Sequence, residues 1–310
     1  MFNPSAIFAK RSIAKIKFVL FSFVILFQLT SCMNKNPLGQ KGVQIYLNHV
    51  FLTVDDNVYS SIINSDFLKE KFANVRTKTT QADSNESWTG TYVSGQNTYI
   101  EIFDSGEEEN RGYSGIGFGV EARGGVDSLY HLIRDSGFDQ VEKSIRHLKT
   151  DTGEIPWFYY LYSTMEDSSS ILSTWLMEYD PEFMNYKFKD IDPGNTDISR
   201  KLYNHESYRE SLLLRDIVEF ELALNRFDTD KLITELKHYG YRMKQEGESF
   251  VGKGPDIQIV IRPKTDTQSG ICRIKFSLTD RLNDQKTVPF GEKSRLVLDT
   301  DGTAEWYFDI

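Results

Sequence analysis

The chain has 310 residues, 13% of them aromatic and 26% charged, with a formal net charge of −9 at pH 7. Residues 1–31 hold four basic side chains and no acidic one, so without them the charge is −13. A body this acidic repels nucleic acid and anionic lipid, and no long basic cluster offsets it.

Lys10, Arg11, Lys15 and Lys17 form a basic start, and Phe18 to Phe27 form an apolar run broken only by Ser22. The run is about half of the roughly 20 residues a spanning helix needs. It meets Leu29-Thr30-Ser31-Cys32, small residues before a cysteine, as a processed signal does. This pattern resembles the lipobox of bacterial lipoproteins. The resemblance implies cleavage after residue 31, a lipidated Cys32 and a place in the cell envelope. Met33 follows the cysteine, so the Asp that retains many lipoproteins at the inner membrane is absent, which points to the outer membrane or the surface. With Cys32 acylated, Cys272 stands alone and no intramolecular disulfide forms. Cys272 lies in an alternating strand-like run, where a small buried apolar role is expected.

Residues 32–42 read as a lipidated polar tether. Val43 to Val54 is β-rich and apolar on both faces, which suits a strand buried on both sides. Asp55-Asp56-Asn57 supplies N-cap chemistry, and apolar residues at 58, 59, 62, 63, 67, 68 and 72 predict a helix from Val58 to Phe72. Strands are predicted at Val75–Thr80, Trp88–Val93 and Thr98–Phe103, with a turn at Ser94–Asn97. This first unit reads β-α-β-β-β. A second unit begins at Tyr113–Val120, a strand thinned by glycines. It continues with a helix over Val126–Ser136, room for an element near Val141–Leu148, and strands at Trp157–Ser163 and Ile171–Tyr179. Residues 190–215 read as a linker with a short helix at Lys201–Leu214.

From residue 216 a third β-α-β-β-β unit is predicted. It comprises a strand at Ile217–Leu224, a helix at Asp228–Tyr239 capped by Asp228, and strands at Tyr241–Lys244, Ser249–Gly252, Ile257–Arg262 and Cys272–Leu278. Arg295–Phe308 looks like a hairpin turning at Asp301-Gly302. The fold class is therefore α+β. Repeated β-α-β-β-β units form cup-shaped mixed sheets over 43–189, with an additional half-unit and hairpin over 216–310. An unpaired half-cup would favour a homodimer.

Paired units of this kind, opening on a strand of the form Leu47-Asn48-His49-Val50, resemble the vicinal oxygen chelate superfamily of glyoxalase I, bleomycin and fosfomycin resistance proteins and extradiol dioxygenases. The resemblance covers Val43 to Tyr179. It implies a cup of strands that often holds a metal, with ligand positions at His49, Glu101 and Glu178. The fourth position is Gly117, in GIGFG. His with two carboxylates suits Zn, Mn, Ni or Fe(II). Glutathione chemistry needs a thiol cofactor scarce outside the cytoplasm, and extradiol cleavage needs two His where one matches.

Alternation places His49 with Leu47 and Phe51, Glu101 with Tyr99 and Phe103, and Glu178 with Leu176. All three polar groups project from apolar faces. A buried carboxylate without a partner is costly, and a cation, a hydrogen-bonding ligand or a water-filled cup would each relieve the cost. Trp157, Phe158, Tyr159, Tyr160 and Tyr162 would line a ligand site or pack a core. His131, His147, His205 and His238 form no paired spacing. The leading reading is a lipid-anchored extracytoplasmic protein that binds a small molecule in a β-cup, without nucleic acid. One alternative is a metal-dependent lyase or dioxygenase using His49, Glu101 and Glu178. The other is an envelope protein-interaction module.

Overall fold

Strand β1 (Ile45–Val54) is buried at all but one position, as its two-sided apolar sequence requires. In the computed structural model the described residues are 43–82, 86–106, 110–151, 153–189 and 197–309. The signal segment, Cys32 and the whole 32–42 tether fall outside them. Helix α1 (Asp56–Ile63) is capped by Asp55, whose carboxylate accepts from the Val58 N–H at 3.0 Å. The predicted helix to Phe72 is interrupted. Asn64 donates to the Ser60 carbonyl, the Ser65 hydroxyl accepts from the Leu68 N–H, and the chain resumes as a π-helical turn at Leu68–Phe72. Consecutive Asn, Ser and Asp side chains compete with helical bonding, which an apolar stripe does not reveal.

Strands β2 (Asn74–Ala82), β3 (Glu86–Ser94) and β4 (Tyr99–Asp104) complete the first unit. The second comprises β5 (Ser114–Val120), α2 (Gly125–Asp135), β6 (Val141–Thr150), β7 (Gly153–Ser163) and β8 (Leu172–Tyr179). Their strands close into a barrel of order β1-β4-β3-β2-β6-β7-β8-β5. Within each unit the first and last strands run parallel, and the units meet along antiparallel β1 and β5. Among the described residues the far seam is narrow, with β2 and β6 paired at Ala82 and Leu148. This is the paired β-α-β-β-β cup that the vicinal oxygen chelate resemblance implies.

Between barrel and C-terminal region, α3 (Pro181–Phe188), which the sequence reading left out, is capped by Asp180, and α4 (Arg200–Asn204) by Ser199. The helix predicted to Leu214 stops at Asn204. Beyond it the backbone bonds to neighbouring elements, Leu213 N–H to the Lys71 carbonyl and Thr279 N–H to the Leu213 carbonyl.

The third unit is β9 (Leu214–Leu224), α5 (Arg226–His238), β10 (Arg242–Glu246), β11 (Ser249–Lys253) and β12 (Gln258–Pro263). Its cap is Asn225 rather than Asp228, whose carboxylate accepts from the Ser170 hydroxyl at 2.5 Å and the Ile171 N–H at 3.0 Å. The half-unit and hairpin join one sheet. Strands β13 (Gly270–Leu278), β14 (Lys286–Pro289), β15 (Ser294–Leu298) and β16 (Thr303–Phe308) repeat the strand order of a unit without a helix. The sheet runs β10-β11-β12-β9-β13-β16-β15-β14, with β9 antiparallel to β13 as β1 is to β5. The third unit thus finds its pair within the chain, which removes the reason for expecting a dimer.

Polar groups, buried or half-buried, join the two regions. Asp216 at the start of β9 accepts from the backbone and side chains of Asn97 and Thr98. The buried Arg200 guanidinium reaches Glu121, Asp256 and the Leu47 carbonyl. Cys272 is buried, and burial pushes its thiol up to about 11, as an inert core residue requires. The one exposed large hydrophobic side chain among the described residues is Tyr186 on α3.

Candidate functional site

The barrel interior is a ligand-sized space walled by rings. An eight-stranded barrel is just wide enough for side chains to fill or for one small ligand. Here the cavity is about 80 Å³, taken as the volume open to the centres of water molecules. Each water needs roughly 10–15 Å³ by this measure, so the space holds several. Aromatic side chains from β1, β3, β4, β7 and β8 line it, among them Phe51, Trp88, Tyr99, Trp157 and Trp175.

Two departures from strand alternation shape this wall. A β-bulge between Leu47 and His49 places Asn48 and His49 together, so Leu47 joins the outer core with Val50 rather than pointing with His49. A second irregularity, between Arg146 and His147, lies opposite Trp157 and lets Trp157 line the cavity beside Phe158. Bulges re-aim side chains in this way.

The glycines of β5 make room for β1. A Cβ on Gly115 would lie 2.1 Å from the Phe51 ring, and one on Gly117 would lie 2.7 Å from His49 Cε1 and 3.0 Å from Trp175. The missing fourth ligand is therefore a packing requirement, because the His49 ring lies where a side chain at 117 would stand.

His49 and Glu101 meet inside the barrel with Nε2 and Oε1 4.0 Å apart. The imidazole stacks on Tyr99 at 4.5 Å and meets Trp175 edge-on at 5.2 Å. Its Nδ1 lies 2.8 Å from Asn48 Oδ1, and Asn48 Nδ2 donates to the Tyr179 hydroxyl at 3.2 Å. With Asn48 so oriented, Nδ1 carries the proton and Nε2 is left as an acceptor facing Glu101. Burial lowers the His49 pKa to about 3 and raises the Glu101 carboxyl to about 7, against a smaller opposing effect of Lys78. The usual order of acid and imidazole is inverted. Below about pH 7 the proton sits on the carboxyl while the imidazole stays neutral, so this contact is not an ion pair.

Glu178 does not join them. It lies on the Leu176 face, as alternation indicates, but that face turns outward. Its carboxylate accepts from the Gly124 and Val126 N–H groups at 2.7 and 2.9 Å, capping α2 from a neighbouring strand. The set His49, Glu101 and Glu178 is corrected accordingly: two members share the cavity and the third serves a helix terminus. Among the described residues no three His, Cys, Asp or Glu side chains converge on one point. The residues present do not fit the divalent metal that the resemblance implies.

Part of the wall is not marked by the sequence. Tyr203, from the presumed linker, stacks on Tyr179 at 4.3 Å and on Tyr99 at 6.1 Å. Lys78, Arg146 and Trp88 also line the cavity. Lys78 sits among threonines in β2 and Tyr203 in a five-residue helix, and neither setting marks a cavity residue.

A family model described as a family of unknown function, DUF5829, matches residues 47–308. The chain belongs to that family. No curated protein sequence matches this DUF5829 member. Among solved structures it is similar to a hypothetical protein from Staphylococcus aureus, with TM-score 0.48, 10% identity, and 79% of this chain and 95% of that one covered. It is similar to a Mn(II)-bound glyoxalase from Novosphingobium aromaticivorans, with TM-score 0.41, 12% identity, and 84% and 80% covered. It is also similar to 2,2',3-trihydroxybiphenyl 1,2-dioxygenase from Sphingomonas wittichii, with TM-score 0.39, 9% identity, and 85% and 89% covered.

Proposed function

We propose that this DUF5829 protein is a lipid-anchored extracytoplasmic binding protein that takes a small molecule into its barrel. The observation that carries the reading is the ring-walled cavity, whose lining includes the Trp157 indole N–H, buried with no hydrogen-bond partner among the described residues, and the partly exposed Glu101 carboxyl. A buried donor without a partner costs about 1–3 kcal/mol, which an acceptor on a ligand in the cavity would offset. A mostly apolar pocket with a few convergent polar groups is the usual form of a small-molecule site. Anchorage through Cys32 at the outer membrane is supported by the basic start, short apolar run and Leu-Thr-Ser-Cys ending. The lyase and dioxygenase alternatives need a third ligand beside His49 and Glu101, and Glu178 is committed to α2.

Native mass spectrometry of the full chain taken from the membrane tests both halves of this reading. The expected result is a non-covalent small-molecule adduct on an acylated chain. The adduct should vanish when Met177→Trp fills the cavity, and the acyl mass and membrane attachment should vanish in Cys32→Ser. An adduct that survives Met177→Trp would place binding elsewhere, and membrane attachment of Cys32→Ser would contradict the anchor.

A further inference from the structure

Among the described residues, every side chain that lines the cavity stands on a strand of the barrel, with one exception. Tyr203 comes from α4, outside the eight strands. It reaches the cavity at the end where β8 finishes and β4 begins. Its ring stacks on Tyr179, the last residue of β8, with centres 4.3 Å apart. It also stacks on Tyr99, the first residue of β4, with centres 6.1 Å apart.

Tyr203 is held in place from several sides. Before it in the chain, the buried Arg200 guanidinium is fixed on Glu121 at 2.9 Å and on Asp256 at 2.6 Å. After it, the Ser207 carbonyl accepts from the Asn74 side chain of β2 at 2.6 Å. The Lys187 ammonium of α3 donates to the Tyr203 carbonyl at 3.0 Å and lies 3.8 Å from the centre of the ring. Contacts before the residue, at it and after it thus fix the backbone that carries the ring. A packed group so pinned yields little to a ligand pressing on it.

The space it closes is small. At about 80 Å³ it has room for several waters, and so for one small ring. We infer that Tyr203 is a fixed end stop, and that the barrel's ligand is correspondingly compact, a single ring with short substituents. The inference rests on the barrel being a small-molecule site. Each methylene added to an apolar ligand tightens binding by roughly four-fold while there is room to bury it. A stop cancels that gain at the length where the ligand meets it. Removing the ring lengthens the cavity, because the surroundings of a truncated side chain relax only in part.

The test is a titration of the full chain with benzyl alcohol, 3-phenylpropanol and 5-phenylpentanol, uncharged probes that differ in length. Trp88, Trp157 and Trp175 line the cavity and report binding by fluorescence. The quantity read is the ratio of affinities for the longest and the shortest probe. It is expected near one in the native chain, where added length gains nothing. In Tyr203→Ala it should rise roughly ten-fold, the worth of about two methylenes in the space freed. Tyr203→Phe keeps the ring and should keep the native ratio. Tyr203→Leu, a milder truncation, should raise the ratio in the same direction and serves if Tyr203→Ala does not fold. A ratio unmoved by truncation, or already near ten-fold in the native chain, would overturn the stop while leaving a small-molecule barrel in place. Failure of all three probes to bind would overturn both.

Discussion

The barrel and the C-terminal sheet share one strand order and differ in what covers the inner face. In the barrel that face carries rings and glycines, so β5 approaches β1 closely and a cavity remains. In the C-terminal sheet the face opposite Phe220, Leu222 and Ile274 carries long charged side chains. Arg273 pairs with Glu219 at 2.5 Å, Glu221 at 3.3 Å and Glu305 at 3.0 Å, and Arg262 pairs with Glu221 at 2.5 Å. That sheet does not close, and its β10 and β14 edges stay unpaired. One strand order thus yields a ligand cup and a charge ladder, which locates function in side chains and not in the fold.

The largest expected effect breaks the join between the two regions. Arg200→Met leaves Glu121 and Asp256 without their buried cation and is expected to cost about 3–5 kcal/mol, read as a fall in denaturation midpoint. A loss under about 1 kcal/mol would mean that the regions are held by apolar contact alone. Next comes the close approach of β5. Gly115→Ala forces the Phe51 ring to move and is expected to cost about 1–3 kcal/mol by the same measurement. The equivalent change on the charged face is expected to be smaller. Arg273→Met should cost about 1 kcal/mol, and its effect should shrink in high salt, because its pairs are partly exposed. Glu178→Gln weakens only a helix cap, with an expected cost of about 1 kcal/mol and unchanged ligand affinity. A large loss of affinity there would restore Glu178 to the site.

The pH dependence sharpens the contrast, since the interior pair titrates out of order. His49 is lowered from its ordinary 6.5 to about 3, so its neutral-state stability is present above 6.5 and is lost as pH falls toward 3. Glu101 is raised from 4.5 to about 7, so its contribution is present below 4.5 and is lost as pH rises through 7. Between about 4.5 and 6.5 the two slopes oppose each other. Glu101→Gln should leave only the His49 slope, with stability rising across that window in denaturation curves taken at each pH. A flat profile in the variant would show that His49 is not desolvated.

Much of the fold was legible because period-2 runs, apolar stripes and glycine stops coincide with element ends, as at Gly137 and Gly240, both with positive φ. The fourth set of strands was harder to see, since β13 and β14 are joined by a short polar stretch with no helical stripe. The site was half legible. His49 and Glu101 stand out as polar residues in apolar strands. The inner face of β8 did not, because Trp175, Leu176 and Met177 are apolar on both sides and give alternation nothing to mark. Nor does the sequence show a bulge, and bulges turned Asn48 and Trp157 inward.

The central claim is that the barrel holds a desolvated acid–imidazole pair and not a metal centre. Its most direct test is the titration of the Glu101 side-chain carboxyl by carbon NMR in the full chain, assigned with Glu101→Gln. A midpoint near 7 is expected. A midpoint at or below the ordinary 4.5 would contradict the account, for it would mean that a cation, a protonated His49 or bulk water stands beside the carboxylate.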